Sequence, residues 1–241
     1  MIHASDSDRS WLARIRERKH LALLVLIVVL QTMHPLLVHL SEHTRVLADV
    51  VILLMVICVF LAVFERRWER RLAVLLAVPG VLGNIGFYVL PERLHTAAAI
   101  LYHASGAVFF GFAVFVILGG VFRHRTVRVD SIIGAACGYL LAATAWGSLY
   151  AMVYLVSPGS FRVAQEIAWQ LNDWHTRHAL FNYFSMVSLT GLGYGDITPM
   201  SPPVYALVSL EVVFGLFYLA VVVAQLVGLM IISRDDGERS P

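Results

Sequence analysis

The chain has 241 residues, of which 59% are apolar or aromatic and only 14% are charged, and its formal net charge is +2. Soluble domains have about 45–50% apolar and about 25% charged residues. This composition excludes a soluble globular enzyme, a disordered chain and a nucleic-acid-binding module, and it predicts an integral membrane protein. Cys58 and Cys137 lie inside apolar runs and lack the spacing of a disulfide framework or a metal-binding motif.

Six apolar runs are long enough to cross a bilayer, which takes about 20 residues in a helix. In chain order, the predicted spans are residues 21–40, 46–64, 72–90, 96–122, 129–156 and 204–233. The fourth span contains no Lys, Arg, Asp or Glu. Voltage sensing requires charges that move through the membrane field, so we expect weak or absent voltage dependence.

The distribution of Lys and Arg predicts the orientation of the spans. Five of these residues precede the first span, four lie between the second and third, three between the fourth and fifth, and two after the sixth, which places 14 on one side. The other side has four. The positive-inside rule then places both termini in the cytoplasm, with the protein in the plasma (inner) membrane. We expect the basic start of the chain to lie against lipid or to serve as ordinary flanking charge.

The segment between the fifth and sixth spans, residues 157–203, does not fit the spanning pattern. Its first part, residues 160–173, has the spacing of a short amphipathic helix. The apolar run 178–190 follows, and as a helix it is only about 20 Å long, too short to cross. A short helix followed by a glycine-rich segment predicts a re-entrant loop, which is tolerated at membrane depth only where it is buried or lines a wet cavity.

That glycine-rich segment, Thr190-Gly191-Leu192-Gly193-Tyr194-Gly195-Asp196, has glycines at alternate positions. Glycine adopts backbone conformations that other residues avoid, so alternation can direct successive carbonyl oxygens to one side. Such a row can replace the water around a dehydrated monovalent cation. We refer to Thr190–Asp196 as the glycine segment.

The glycine segment resembles the selectivity filter of the potassium channel superfamily, whose pattern is Thr-Val-Gly-Tyr-Gly-Asp. Gly193 to Asp196 are identical to that pattern and Leu192 is a conservative change. Tyr183-Phe184 stand where the family's pore helix has an aromatic pair, and Gly215 stands where its inner helix has a hinge. The chain is most similar to six-span, single-pore-loop channels of bacterial type that lack voltage-sensor arginines.

This resemblance implies an all-α membrane protein with six transmembrane helices, a re-entrant pore helix and a filter, in a tetrameric channel. Thr190–Asp196 would form the ion-binding segment, with K⁺ held by the carbonyls of Gly191, Leu192, Gly193 and Tyr194. One pore loop per chain implies a homotetramer. The implied partners are further copies of the chain, membrane lipid and the permeant K⁺; no enzyme activity, cofactor or nucleic acid is implied.

The implied domains are a four-helix peripheral domain at residues 1–125, voltage-sensor-like but uncharged, a pore domain at 126–233 and a short cytoplasmic tail at 234–241. A tail of this length predicts no attached ligand-binding domain.

The sequence departs from the family pattern in two places. Gly191 stands where the family has a threonine, so the innermost ion site has no hydroxyl. Val187 stands where some members have a glutamate that bonds the filter aspartate, so Asp196 needs another donor, such as Tyr183 or Trp174. Two alternatives to a K⁺-selective channel stay open: a weakly selective monovalent cation channel, and a non-conducting regulatory subunit.

Several polar residues outside the glycine segment are candidates for pore lining or gating. Glu211, an acid in mid-span, could bond the pore helix at Ser185 or Ser188, raise the cation concentration in the pore cavity, or be a structural acid. Gly215 could act as a hinge. Gln225 could face the cytoplasmic mouth or cap a helix contact.

Histidines near the outer side suggest two further possibilities. His175 and His178 could confer sensitivity to external pH, or be solvated or capping residues. His39 and His43 have the spacing of metal ligands on a helix, but no cysteine or second carboxylate lies near them, so we do not expect a metal site.

Overall fold

The computed structural model of the chain describes residues 19–40, 42–123 and 129–238. Within these residues the helices are α1 (Lys19–Leu40), α2 (Glu42–Val63), α3 (Arg67–Val89), α4 (His95–Arg123), α5 (Val129–Val156), α6 (Trp174–Leu189) and α7 (Pro202–Glu238). Two short strands, β1 (Phe161–Val163) and β2 (Ile197–Pro199), and two 3-10 turns, Glu92–Leu94 and Ala168–Leu171, complete the described elements. We call α1–α4 the N-terminal half and α5–α7 the C-terminal half.

All helices except α6 are long and apolar enough to cross a membrane, which confirms the prediction of an all-α, six-span protein. The third span begins at Arg67 rather than at residue 72. Glu69 accounts for the earlier start, because its carboxylate accepts hydrogen bonds from the backbone N–H groups of Glu65 and Arg66, both at 3.1 Å. An acid in this position satisfies free N–H groups and favours the start of a helix.

Some sequence-based predictions lie outside the described residues. They concern the basic segment before residue 19, the charged connection at 124–128 and the last three residues of the tail.

Within the N-terminal half, α3 packs closely against α4 through a small residue. A Cβ atom at Gly83 of α3 would lie 2.7 Å from the carbonyl oxygen of Ala98 and 2.8 Å from the backbone nitrogen of Tyr102, both on α4. Only glycine permits this approach, which is typical of membrane helices. On the other side, α1 is tied to α5 by Gln31, whose amide donates to the hydroxyl of Thr144 at 2.8 Å.

The prediction of an amphipathic helix at residues 160–173 is wrong. Phe161 to Val163 form a strand that pairs antiparallel with β2, with Phe161 opposite Pro199 and Val163 opposite Ile197. The Phe161 side chain is buried against the rings of Tyr150 and Phe181. This core contact and the pairing with a segment beyond α6 are interactions distant in sequence, and they outweigh the local helical spacing.

Candidate functional site

The short helix α6 begins at Trp174, four residues before the predicted start at residue 178. Asp173 caps it, because its carboxylate accepts hydrogen bonds from the backbone N–H groups of His175 and Thr176 at 2.9 and 3.2 Å. Such a cap satisfies two of the free N–H groups of the first turn. With 16 residues, α6 is about 24 Å long and still too short to span a membrane.

The glycine segment follows α6 directly and has the alternating backbone that its sequence predicts. Gly191, Gly193 and Gly195 have φ angles of +72°, +59° and +79°. Among the described residues, Gly159 alone shares a positive φ with them. The backbone N–H groups of Gly191 and Leu192 donate to the carbonyls of Ser188 and Val187 at 2.9 and 3.0 Å, so the start of the segment is fixed to the last turn of α6.

The middle of the glycine segment is uncovered in the single chain. Leu192 is 57% exposed and Tyr194 is 65% exposed, although α6 beside them is largely buried. Two large side chains exposed next to a packed core are available for contact with another molecule.

The C-terminal end of the segment is held by a hydrogen bond between Tyr183 and Asp196. The Tyr183 hydroxyl donates to Oδ2 of Asp196 at 2.7 Å, and Oδ1 accepts from the N–H of Ile197 at 3.0 Å. Partial burial, this hydrogen bond and the aspartate charge raise the pKa of Tyr183 to about 12. Of the two donors considered for Asp196, Tyr183 makes the bond, whereas Trp174 packs against the rings of Phe87 and Tyr102.

Glu211 lies behind α6 and is fully buried. Its carboxylate accepts a hydrogen bond from the Ser185 hydroxyl of α6 at 2.5 Å and one from the Tyr150 hydroxyl of α5 at 2.6 Å. The structure therefore places Glu211 at the junction of the three helices of the C-terminal half, away from any open cavity. Sequence reasoning named Ser185 as a partner but missed Tyr150, which lies 61 residues earlier in the chain.

Gly215 lies where α7 passes the last turn of α6. A Cβ atom at this position would collide with the carbonyl group of Leu189, 3.1 Å from its carbon and closer still to its oxygen. The same oxygen accepts a hydrogen bond from the Tyr139 hydroxyl of α5 at 3.0 Å. Close approach is therefore what the structure shows Gly215 to provide. Gln225 lies further along α7, and its side chain is outside the described part of the structure.

A polar cluster joins α2 to the start of α6. Nε2 of His175 lies 3.3 Å from Oδ2 of Asp49, and its Nδ1 lies 3.4 Å from Oδ1 of Asp173. Arg45 lies 3.2 Å from the second oxygen of Asp173. Burial disfavours the charged imidazole, but the hydrogen bonds and charges of Asp173 and Asp49 outweigh it and raise the pKa of His175. Partial burial works against the Asp173 carboxylate, yet His175, the N–H of Thr176 and Arg45 lower its pKa to about 2.

His178, one turn further along α6, has the opposite environment. Its ring lies 5.3 Å from that of His34 and 5.5 Å from that of His103, centroid to centroid. Burial and the neighbouring His175 lower the pKa of His178 to about 4. His175 and His178 are thus both buried rather than solvated.

His39 and His43 were the pair considered for a metal. His39 contacts Trp169, and the His43 side chain lies outside the described part of the structure. No cluster of three or more possible metal ligands occurs within the described ranges.

Comparison with known proteins finds a similarity in the C-terminal half. Residues 138–231 match the model of a family described as ion channel. No curated protein and no solved structure matches the chain significantly. The matched region extends from α5 through α6 and the glycine segment into α7. The chain therefore has six helices fit to span a membrane and a region, residues 138–231, that is similar to an ion channel family, which supports a function in ion transport.

Proposed function

We propose that four copies of this chain enclose a K⁺-selective pore in which backbone carbonyls of the glycine segment replace the water around the ion. The observation that carries the proposal is the sequence Gly193 to Asp196, with positive φ at alternate glycines, directly after a short capped helix inside an ion channel domain. The carbonyls of Gly191, Leu192, Gly193 and Tyr194 are the proposed K⁺ ligands, and no cofactor is needed.

The surroundings of the segment support a passive mechanism. The C-terminal end of the α6 dipole carries partial negative charge, which attracts K⁺. Selection depends on the number and field strength of the carbonyl ligands, which the protein must hold in position. The bond from Tyr183 to Asp196 fixes the outer end of the row, and Glu211 fixes α6 from behind through Ser185.

A ring of identical chains follows from the single glycine segment in each chain, because one segment cannot surround an axis. A closed cyclic homo-oligomer is the usual solution, and the exposed Leu192 and Tyr194 side chains give it a surface to bury. In this proposal residues 126–233 form the pore and residues 1–125 a peripheral domain. Both termini are cytoplasmic, as the Lys and Arg distribution indicates, and the lack of charged residues between positions 96 and 122 of α4 gives little voltage dependence.

One observation favours a second candidate, a weakly selective monovalent cation channel. The hydroxyl of Thr190 donates to the carbonyl of Met186 at 2.8 Å, and Gly191 has no hydroxyl. The inner end of the row is therefore served by carbonyls alone. A site with fewer or less constrained oxygen ligands discriminates less sharply between K⁺ and Na⁺.

The test is ion flux through the purified full chain in liposomes, with its oligomeric state measured in the same preparation. We expect tetramers that conduct K⁺, with a reversal potential close to the K⁺ equilibrium potential in opposed K⁺ and Na⁺ gradients, and little change in open probability with voltage. A reversal potential near zero would assign the weakly selective channel. Tetramers without flux would assign the regulatory subunit, and a stable monomer would overturn the proposal.

A further inference from the structure

The N-terminal half contains a cavity of about 300 Å³ that the ion-conducting role does not use. Its walls come mainly from α2, α3 and α4, with His178 of α6 at one edge. This volume is at the lower end of the range for small-molecule sites. All three main walls are helices long and apolar enough to span a membrane, so the cavity lies at membrane depth.

The cavity is polar at one end and apolar along the rest of its length. Asp49, Asn84 and Tyr88 lie towards the end where α2 begins and α3 finishes. Further along the same helices the wall consists of residues such as Leu53, Val56 and Ala77, joined by phenylalanines of α4. Such a division matches a ligand with one polar group and a compact apolar body.

The polar end contains a carboxylate that the protein satisfies only in part. Oδ2 of Asp49 accepts a hydrogen bond from the Tyr88 hydroxyl and faces His175 at 3.3 Å. Oδ1 is buried and has no hydrogen-bond partner in the described part of the chain. His175 pairs with Asp173 as well as with Asp49. A buried carboxylate oxygen without a donor is costly, and a turn of the carboxylate about its Cβ–Cγ bond would present an oxygen to a donor supplied by a ligand in the cavity.

We propose that this cavity binds a small amphiphilic amine, with its ammonium group on Asp49 and its apolar body between α2 and the α3–α4 pair. Charge decides the class of ligand, because an acyl chain or a neutral apolar molecule would fill the space and leave Oδ1 unpaired. Tyr88 and Tyr102 also line the cavity, and aromatic rings attract a cation.

The test is calorimetric titration of the full chain in nanodiscs with 3-phenylpropylamine and with its neutral counterpart 3-phenylpropan-1-ol, against empty nanodiscs. We expect saturable binding of the amine and at least about tenfold weaker binding of the alcohol, which corresponds to about 1.4 kcal/mol. Asp49→Asn keeps an acceptor for Tyr88 but removes the charge. It should weaken the amine at least about tenfold and leave the alcohol unchanged.

Two further variants separate this site from general effects. Leu53→Trp fills the apolar part and should weaken both probes without changing any charge. Glu92→Gln removes an exposed carboxylate in the turn between α3 and α4, outside the cavity, and should change neither. Equal binding of amine and alcohol, an unchanged Asp49→Asn variant or no saturable binding would each overturn the proposal. Binding is measured without ion flux, so its failure is distinguishable from failure of the proposed channel function.

Discussion

The two halves of the molecule are held together in different ways. Buried residues make up 61% of the most apolar stretch of α5 but only 17% of that of α3. In the C-terminal half, hydroxyl groups of Tyr139, Tyr150 and Ser185 form hydrogen bonds between helices. The contact of α3 with α4 depends on glycines such as Gly83 that allow close packing, together with a hydrogen bond from the Ser105 hydroxyl to the carbonyl of Leu76. Hydrogen bonds fix positions more narrowly than apolar contact, and those of the C-terminal half hold the helices around the main-chain oxygens that matter to the proposed function.

The largest expected effect is on the carbonyls of the glycine segment that we propose bind K⁺. Gly195→Ala places a side chain at a φ of +79°, which costs about 1–2 kcal/mol in each copy and displaces the neighbouring carbonyls. We expect K⁺ flux in liposomes to fall by about tenfold or more, because ion coordination depends on those oxygens.

Gly159→Ala is the matched control for that variant. Gly159 also has a positive φ, +91°, but it lies in the turn before β1, where an added Cβ atom would meet no heavy atom within 4 Å. It should carry the same backbone strain and conduct normally. Equal loss of flux in both variants would show that strain in general, rather than the row of carbonyls, explains the result.

The next largest effect should come from Glu211→Ala. This change leaves the Tyr150 and Ser185 hydroxyls buried without their acceptor, at about 1–3 kcal/mol each. We expect a clearly lower thermal midpoint for unfolding and for loss of the oligomer. Glu166→Ala, at an exposed position of the same half, should change the free energy of unfolding by no more than about 0.5 kcal/mol. Similar midpoints for the two variants would contradict a bracing role for Glu211.

In the N-terminal half, Gly83→Ala should lower stability without changing ion selectivity. The new Cβ atom would lie 2.7 Å from a backbone oxygen of α4, and such overpacking costs about 1–3 kcal/mol. Gly119→Ala is the control, because that helical glycine has open space around it and alanine should stabilise the helix by about 0.5–1 kcal/mol. A shift in the reversal potential of Gly83→Ala would show that the two halves are not separable in this way.

The smallest effect concerns the polar cluster where the halves meet. The pKa of His175 is raised in the folded chain, so its stabilising contribution is fully present below 6.5 and is lost as pH rises through the raised pKa. The groups that face it are Asp49, Asp173, Tyr88 and His178; Asp173 stays ionised across this window because its pKa is about 2. His175→Gln should therefore lower the free energy of unfolding at about pH 5.5 by about 1 kcal/mol or less, and hardly at about pH 9. The thermal midpoint at each pH measures this difference.

His39→Gln, on an exposed residue of α1, is the control for that pH dependence. It should leave the difference between acid and alkaline midpoints intact. A His175→Gln variant that keeps the full pH dependence of the original chain would contradict the bridge between α2 and α6.

Features set by local pattern were predictable from the sequence. The six spans follow from apolar length, and the alternating backbone of the glycine segment follows from the glycines themselves. The start of α6 could also have been found, because Asp173 is a favourable N-cap residue directly before Trp174. The apolar run alone predicts a start at residue 178 instead.

Features that depend on distant partners were not predictable. Pairing of β1 with β2 joins segments on either side of α6, and no local spacing indicates it. The same holds for Tyr150, which reads as one more aromatic residue of a span until Glu211 is placed against it. The ring cluster of His34, His103 and His178 likewise combines three helices.

The carbonyl of Leu189 has a mechanical consequence. It is the last helical residue before the glycine segment, it is pinned by Tyr139, and the bare backbone of Gly215 rests against it. A rotation or lateral displacement of α7 at Gly215 must displace the Leu189 carbonyl oxygen or remove the contact with it. Movement of α7 is thus coupled directly to the residue from which the proposed ion-binding segment continues, without any element between them.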